Sequence, residues 1–121
     1  MLSKDQLKLA KTNPKEFLLQ SKDLTIRINR ILTELKFEDE TGPSSERMQN
    51  LLIEAKKAKA EREEIYNLLA NAQINETYKY ILISRFFNNK TIAEISKELN
   101  YAYRWALKLQ ARALKAFSDA I

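Results

Sequence analysis

Four cations and no anion lie between residues 101 and 117: Arg104, Lys108, Arg112 and Lys115. At helical spacing Arg104, Lys108, Ala111 and Lys115 share one face, and Ala106, Leu109, Ala113 and Phe117 share the opposite one. A helix apolar on one side and basic on the other can do non-covalent chemistry. It can neutralise phosphates and donate hydrogen bonds to base edges. The bland alternative is an amphipathic helix whose cations only keep it in solution. Covalent chemistry has little to work with. The chain has no His and no Cys, which removes the usual general base, zinc ligands, thiol nucleophile and disulfides. No paired acidic motif sits in a plausible pocket, and nothing asks for a metal or a cofactor. The chain is expected not to be an enzyme.

The elements that would carry the basic face are well marked. Thr91 can cap a helix, and Glu94 three residues on completes a capping box. Ile92, Ile95 and Leu99 then share a face. Asn100, the residue type after Gly best able to take the left-handed conformation, stops that helix. The basic helix starts near Ala102. A short capped helix, a tight turn and an amphipathic basic helix form the pattern of a helix-turn-helix.

The 121 residues include one Gly and two Pro, and the Lys-, Glu-, Leu- and Ala-rich remainder favours helix nearly everywhere. The fold is expected to be all-α. The net charge of +5 is uneven. Residues 1–73 hold 13 basic and 12 acidic side chains, whereas residues 74–121 hold 8 and 4. No apolar signal core opens the chain and no run approaches membrane-spanning length, so a cytoplasmic protein is expected.

Upstream, Ser3 and Gln6 can cap a short helix to about Lys11. Asn13 caps the next, with Pro14 in its first position, where the missing N–H costs nothing. This second helix is expected to reach about Phe37, with a stripe of Phe17, Leu24, Ile28, Ile31 and Leu35 that Leu18 and Leu32 widen. Glu38 to Ser45 reads as an acidic loop. A third helix then runs to about Ala72. Leu51, Ala55, Ala58, Arg62, Ile65, Leu69 and Ala72 give it a heptad seam. Residues 1–73 thus read as a long antiparallel, coiled-coil-like helical hairpin, an oligomerisation arm with a thin seam. Arg62 is its odd member. Its guanidinium either reaches the edge to meet a glutamate or forms a polar layer that fixes register. A further helix, about Glu76 to Asn88, presents Tyr78, Ile81, Leu82, Arg85, Phe86 and Phe87. With the two helices after it, it makes a compact unit over 74–121.

The run YKYILISRFFNNKTIAEISKELNYAYRWALKLQARALKAF resembles region 4 of sigma-70-type factors. The matching features are Arg85-Phe86 at the end of an apolar helix, Thr91-Ile92-Ala93-Glu94-Ile95 through Leu99, and Arg112-Ala113-Leu114. With the long hairpin before it, the chain is similar to small phage and prophage regulators of the ArpU/RinA-type late activator family. The resemblance implies that Arg85 and Glu94 form a structural ion pair. It also implies that Tyr103, Arg104, Leu107 and Lys108 face base edges in the major groove; the helical wheel independently centres Arg104 and Lys108 on the outward face. Arg104 could fork onto guanine O6 and N7, Lys108 could reach a guanine or a phosphate, and Leu107 a thymine methyl. Lys90, Thr91, Arg112 and Lys115 would touch phosphate.

The departures from the family pattern are local. Asn100 stands where Gly is usual. Ala102 stands where Ser or Thr would cap the recognition helix. Trp105 occupies a usually polar position, either packing on the hairpin or a neighbouring helix or stacking on sugar-phosphate. Nothing resembles the sigma region that melts promoters. The function implied is a sequence-specific, double-stranded-DNA-binding transcriptional regulator, an activator of phage or prophage late genes, dimeric through the hairpin. The alternatives are a region 4-like adaptor that binds RNA polymerase or a host regulator without reading DNA, and a DNA-packaging subunit.

Overall fold

The computed structural model describes residues 2–41 and 45–121, with the side chains of 39–41 and 45 left aside. The protein is all-helical: α1 (Lys4–Thr12), α2 (Pro14–Thr41), α3 (Ser45–Ala70), α4 (Glu76–Phe86), α5 (Ile92–Leu99) and α6 (Tyr103–Ala120). Among the described residues no helix is long and apolar enough to cross a membrane.

α1, α2 and α4 start where their capping residues say they should. The Ser3 hydroxyl accepts from the Gln6 amide at 3.2 Å. Asn13 Oδ1 accepts from the Glu16 amide at 3.2 Å while its own amide group donates to the Glu16 carboxylate at 3.0 Å. That reciprocal closure satisfies the Glu16 N–H in the first turn of α2. Asn75 opens α4 by accepting from the Thr77 amide at 2.7 Å.

α2 outruns its expected end near Phe37 and continues to Thr41. The acidic stretch before Gly42 holds no helix breaker, and Glu38 is drawn to Arg47 of α3 at 2.6 Å. Residues 38–41 and 45 of the expected loop are therefore helical; residues 42–44 lie outside the description. α2 and α3 then run alongside each other. Ile31 meets Leu51 and Ala55 towards their connection, and Leu24 and Ile28 share a cluster with Ala58 and Ile65 further down. Arg30 links the two helices outside the seam, bonding Glu34 on its own helix at 3.0 Å and Glu54 across at 2.8 Å. The seam is buried as its heptad spacing predicts, apart from half-buried Arg62. Leu32 does not widen the α2 stripe; it is exposed.

Arg62 finds a different partner from the expected glutamate. Its Nη2 donates to the Phe87 carbonyl at 3.3 Å, and its guanidinium lies 5.7 Å from the centre of the Phe87 ring. The side chain therefore ties α3 to the end of α4. Its Nε is buried without a hydrogen-bond partner among the described residues. An unsatisfied donor of this kind costs about what a hydrogen bond yields. Arg62→Leu is therefore expected to hold or raise Tm and to leave the mass seen by light scattering unchanged. A changed mass would restore the register role.

The main core belongs to both ends of the chain. Phe17 and Leu18 of α2, Leu69 of α3, Leu82 and Phe86 of α4 and Ala113 and Phe117 of α6 form one buried cluster. Phe17 and Phe117 stack there with ring centres 6.1 Å apart. The wholly buried Ser21 hydroxyl sits 2.7 Å from the Leu18 carbonyl and 2.8 Å from the Phe86 carbonyl. A second, smaller cluster of Ile81, Ile92, Ile95, Ala106 and Leu109 joins α4, α5 and α6.

Candidate nucleic-acid interface

The turn that aims α6 is built by two asparagines and one capping box. Thr91 Oγ1 accepts from the Glu94 amide at 3.1 Å, and the Glu94 carboxylate accepts from the Thr91 amide at 3.2 Å. Asn89 and Asn100 have φ of 55° and 58°, the left-handed conformation that stops α4 and α5 respectively. After α5 the Tyr101 amide donates to the Ser96 carbonyl at 2.8 Å, which satisfies an orphan carbonyl at the helix end. Ile92, Ile95, Ala106 and Leu109 then pack the two helices together.

α6 turns Ala106, Leu109, Ala113 and Phe117 inward and leaves Arg104, Lys108, Ala111 and Lys115 exposed. Arg104 and Lys108 make no hydrogen bond or ion pair among the described residues, so both are available to a ligand. Tyr103 and Leu107 lie on the flank beside them, exposed at 54% and 40%, and line a groove that α2 also borders. The four expected base-facing residues therefore share one accessible side of the first two turns of α6.

The residues expected at phosphates are differently placed. Lys90 bonds Glu98 at 2.8 Å and lies over the Tyr80 ring, whose hydroxyl also bonds Glu98. The Glu98 bond holds the Lys90 ammonium above its ordinary range. The Thr91 hydroxyl is occupied by Glu94, whose charge also offsets the positive end of α5. Lys115 meets only Asp119, at 3.3 Å, in an exposed pair of little strength. Arg112 lies over Trp105 with its guanidinium carbon 5.0 Å from the ring centre. Arg112 and Lys115 thus remain presentable to an anion, whereas Lys90 and Thr91 are committed within the protein.

Two further expectations change. Arg85 and Glu94 come to the same turn through separate bonds: Arg85 Nη1 donates to the Lys90 carbonyl at 3.4 Å, and Glu94 closes on Thr91. Both brace the α4–α5 turn without forming the expected pair. Trp105 lies exposed on α6, with the Arg112 guanidinium over its ring. What the one-dimensional reading missed is the groove itself, since Lys15 and Leu19 reach it from a helix some seventy positions earlier in the chain.

The start of α6 is bare. Ala102 has the extended conformation of a capping residue, φ −64° and ψ 144°, with no side-chain bond to offer. Ala102→Ser is expected to raise stability by about 1 kcal/mol, read as a shift in urea midpoint. An unchanged midpoint would mean that the first-turn amides are already satisfied.

No family model matches the chain, and neither a curated protein nor a solved structure matches it.

Proposed function

We propose that the protein is a sequence-specific, double-stranded-DNA-binding transcriptional regulator that works in the bacterial cytoplasm as an activator of phage or prophage late genes. In this reading α4–α6 form a sigma region 4-like helix-turn-helix, α6 enters the major groove, and α2–α3 form a hairpin arm. The observation that carries it is the pair Arg104 and Lys108. Both stand exposed and unpartnered at the start of a helix whose own turn is rigidly closed by Asn100. Paying no partner to leave, both can meet guanine edges or phosphates directly.

A single recognition helix buries little area, so a second copy is the natural route to useful affinity. The α2–α3 pair supports that role through Ile26, Leu32, Leu52 and Ile53, all outside its seam and exposed. A homodimer through α2 and α3 would show twice the 14.1 kDa chain mass in light scattering. A monomer at micromolar concentration would remove that part of the reading.

The second reading is a region 4-like adaptor that binds RNA polymerase or a host regulator without reading DNA. Exposed Tyr101, Tyr103 and Trp105 favour it, because aromatic residues are enriched in protein interfaces. Electrophoretic shift of a random duplex at two salt concentrations separates the two. The regulator binds, and binds more weakly as salt rises, because phosphate contacts release counterions. Absence of salt-sensitive binding supports the adaptor.

A further inference from the structure

The strongest unassigned feature is a group of cations that α2 brings to the edge of the α6 face. Lys15, Leu19 and Lys22 fall at i, i+4 and i+7 and so share one side of α2. The buried Ser21 hydroxyl, 2.8 Å from the Phe86 carbonyl, fixes this stretch against the end of α4. A groove of about 340 Å³ opens there, with Lys15 and Leu19 on one wall, Arg85 and Thr91 behind, and Tyr103 and Leu107 on the other wall.

Burial first, and then the Arg85 guanidinium, hold the Lys22 ammonium below its ordinary range, with no carboxylate acting on it. The Glu16 and Glu94 carboxylates keep their charge but are held at their own helix starts, Glu16 by Asn13 and Glu94 by Thr91, and neither is paired with Lys15, Lys22 or Arg85 among the described residues. Bringing Lys22 against Arg85 works against folding. Arrangements that oppose stability are characteristic of functional sites. What would relieve the repulsion is an anion that can accept hydrogen bonds from ammonium and guanidinium groups at once.

We propose that Lys15 and Lys22 of α2, together with Arg85 of α4, seat a backbone phosphate of the duplex whose bases meet Arg104 and Lys108. The long arm is then part of the DNA interface as well as a means of association. This rests on the regulator reading. The phosphodiester is favoured over a free anion because the groove shares Tyr103 and Leu107 with the base-facing side of α6. A strand flanking the contacted bases would pass directly from one to the other.

The test compares binding to a duplex selected from a random pool and to a random duplex, each across a salt series. For Lys15→Gln with Lys22→Gln, affinity for both duplexes is expected to fall about tenfold, and the salt slope to shrink by about 1, the share of one phosphate. Lys15→Arg should keep the parental slope, and Lys57→Gln on α3 should match the parent throughout. Lys22→Gln should melt no lower than the parent, since it removes a repelled charge. Lys15 is exposed on the groove wall, so Lys15→Gln alone serves if the double variant does not fold, with weaker binding of both duplexes and a slope loss smaller than that of the double variant. Parental slopes in the α2 variants, alongside weakened binding of the selected duplex by Arg104→Ala, overturn the α2 site and leave the regulator reading standing. A parent that shows no salt-dependent binding overturns both.

Discussion

Phe17→Ala will destabilise the protein by about 3–5 kcal/mol, the loss seen when a large aromatic ring is removed from a filled core. Phe17 is wholly buried near the start of α2 and stacks on Phe117, equally buried near the end of α6. The pair holds the first half of the chain to the helix carrying the basic face. Around it lie Leu18, Leu82, Phe86 and Ala113 from three helices, which cannot close the gap without moving one another. Phe117→Ala should cost about as much, also about 3–5 kcal/mol. The double variant should cost less than the sum, because each single change already forfeits the shared contact. Urea unfolding at neutral pH reads all three. A loss below about 1 kcal/mol for Phe17→Ala would place that ring outside the core.

This stack shows where one-dimensional reading stops. Phe17 and Phe117 each sit on a predicted apolar stripe, and both stripes are buried apart from half-buried Leu35 and exposed Leu32 on α2. Their contact joins residues separated by a hundred positions, and no periodicity names a partner at that range. The local devices were legible because their physics is local. The Thr91–Glu94 capping box, left-handed Asn100, the Asn13–Pro14 start of α2 and the α3 seam each depend on residues within a few turns. The Arg62 contact was not legible, because it depends on where the end of α4 lands against α3. For the same reason the contacts of Lys90 with Glu98 and Tyr80 were not legible, because they depend on how α4 and α5 meet. The end of α2 was misjudged for a different reason. Its acidic residues read as loop, yet they extend the helix to Thr41, and the Glu38–Arg47 bridge holds that end to α3.

The second large effect concerns binding. Arg104→Ala is expected to weaken binding to a selected duplex by about 1–3 kcal/mol, or about 5- to 150-fold in Kd. A guanidinium forked onto guanine loses two charge-assisted bonds when truncated, and no neighbouring side chain on that turn reproduces the fork. Specificity should relax at one base position while preference at the others persists. Arg104 is exposed and has no partner among the described residues, so the substitution should leave folding stability within about 0.5 kcal/mol. That separation makes the result interpretable, because any loss of binding cannot be charged to unfolding. Lys115→Ala should behave differently, weakening all duplexes alike and shrinking the salt slope by about 1. Its exposed pair with Asp119 gives it little reason to stay bound to the protein.

The most direct measurement is selection of duplexes from a random pool, followed by Kd values for the parent and for Arg104→Ala on the enriched sequence and on a scrambled one. The proposed function predicts a single enriched site, parental preference for it over the scramble, and loss of most of that preference in Arg104→Ala with an unchanged melting curve. Equal binding of both duplexes by parent and variant, or no enrichment at all, would contradict a reading face on α6.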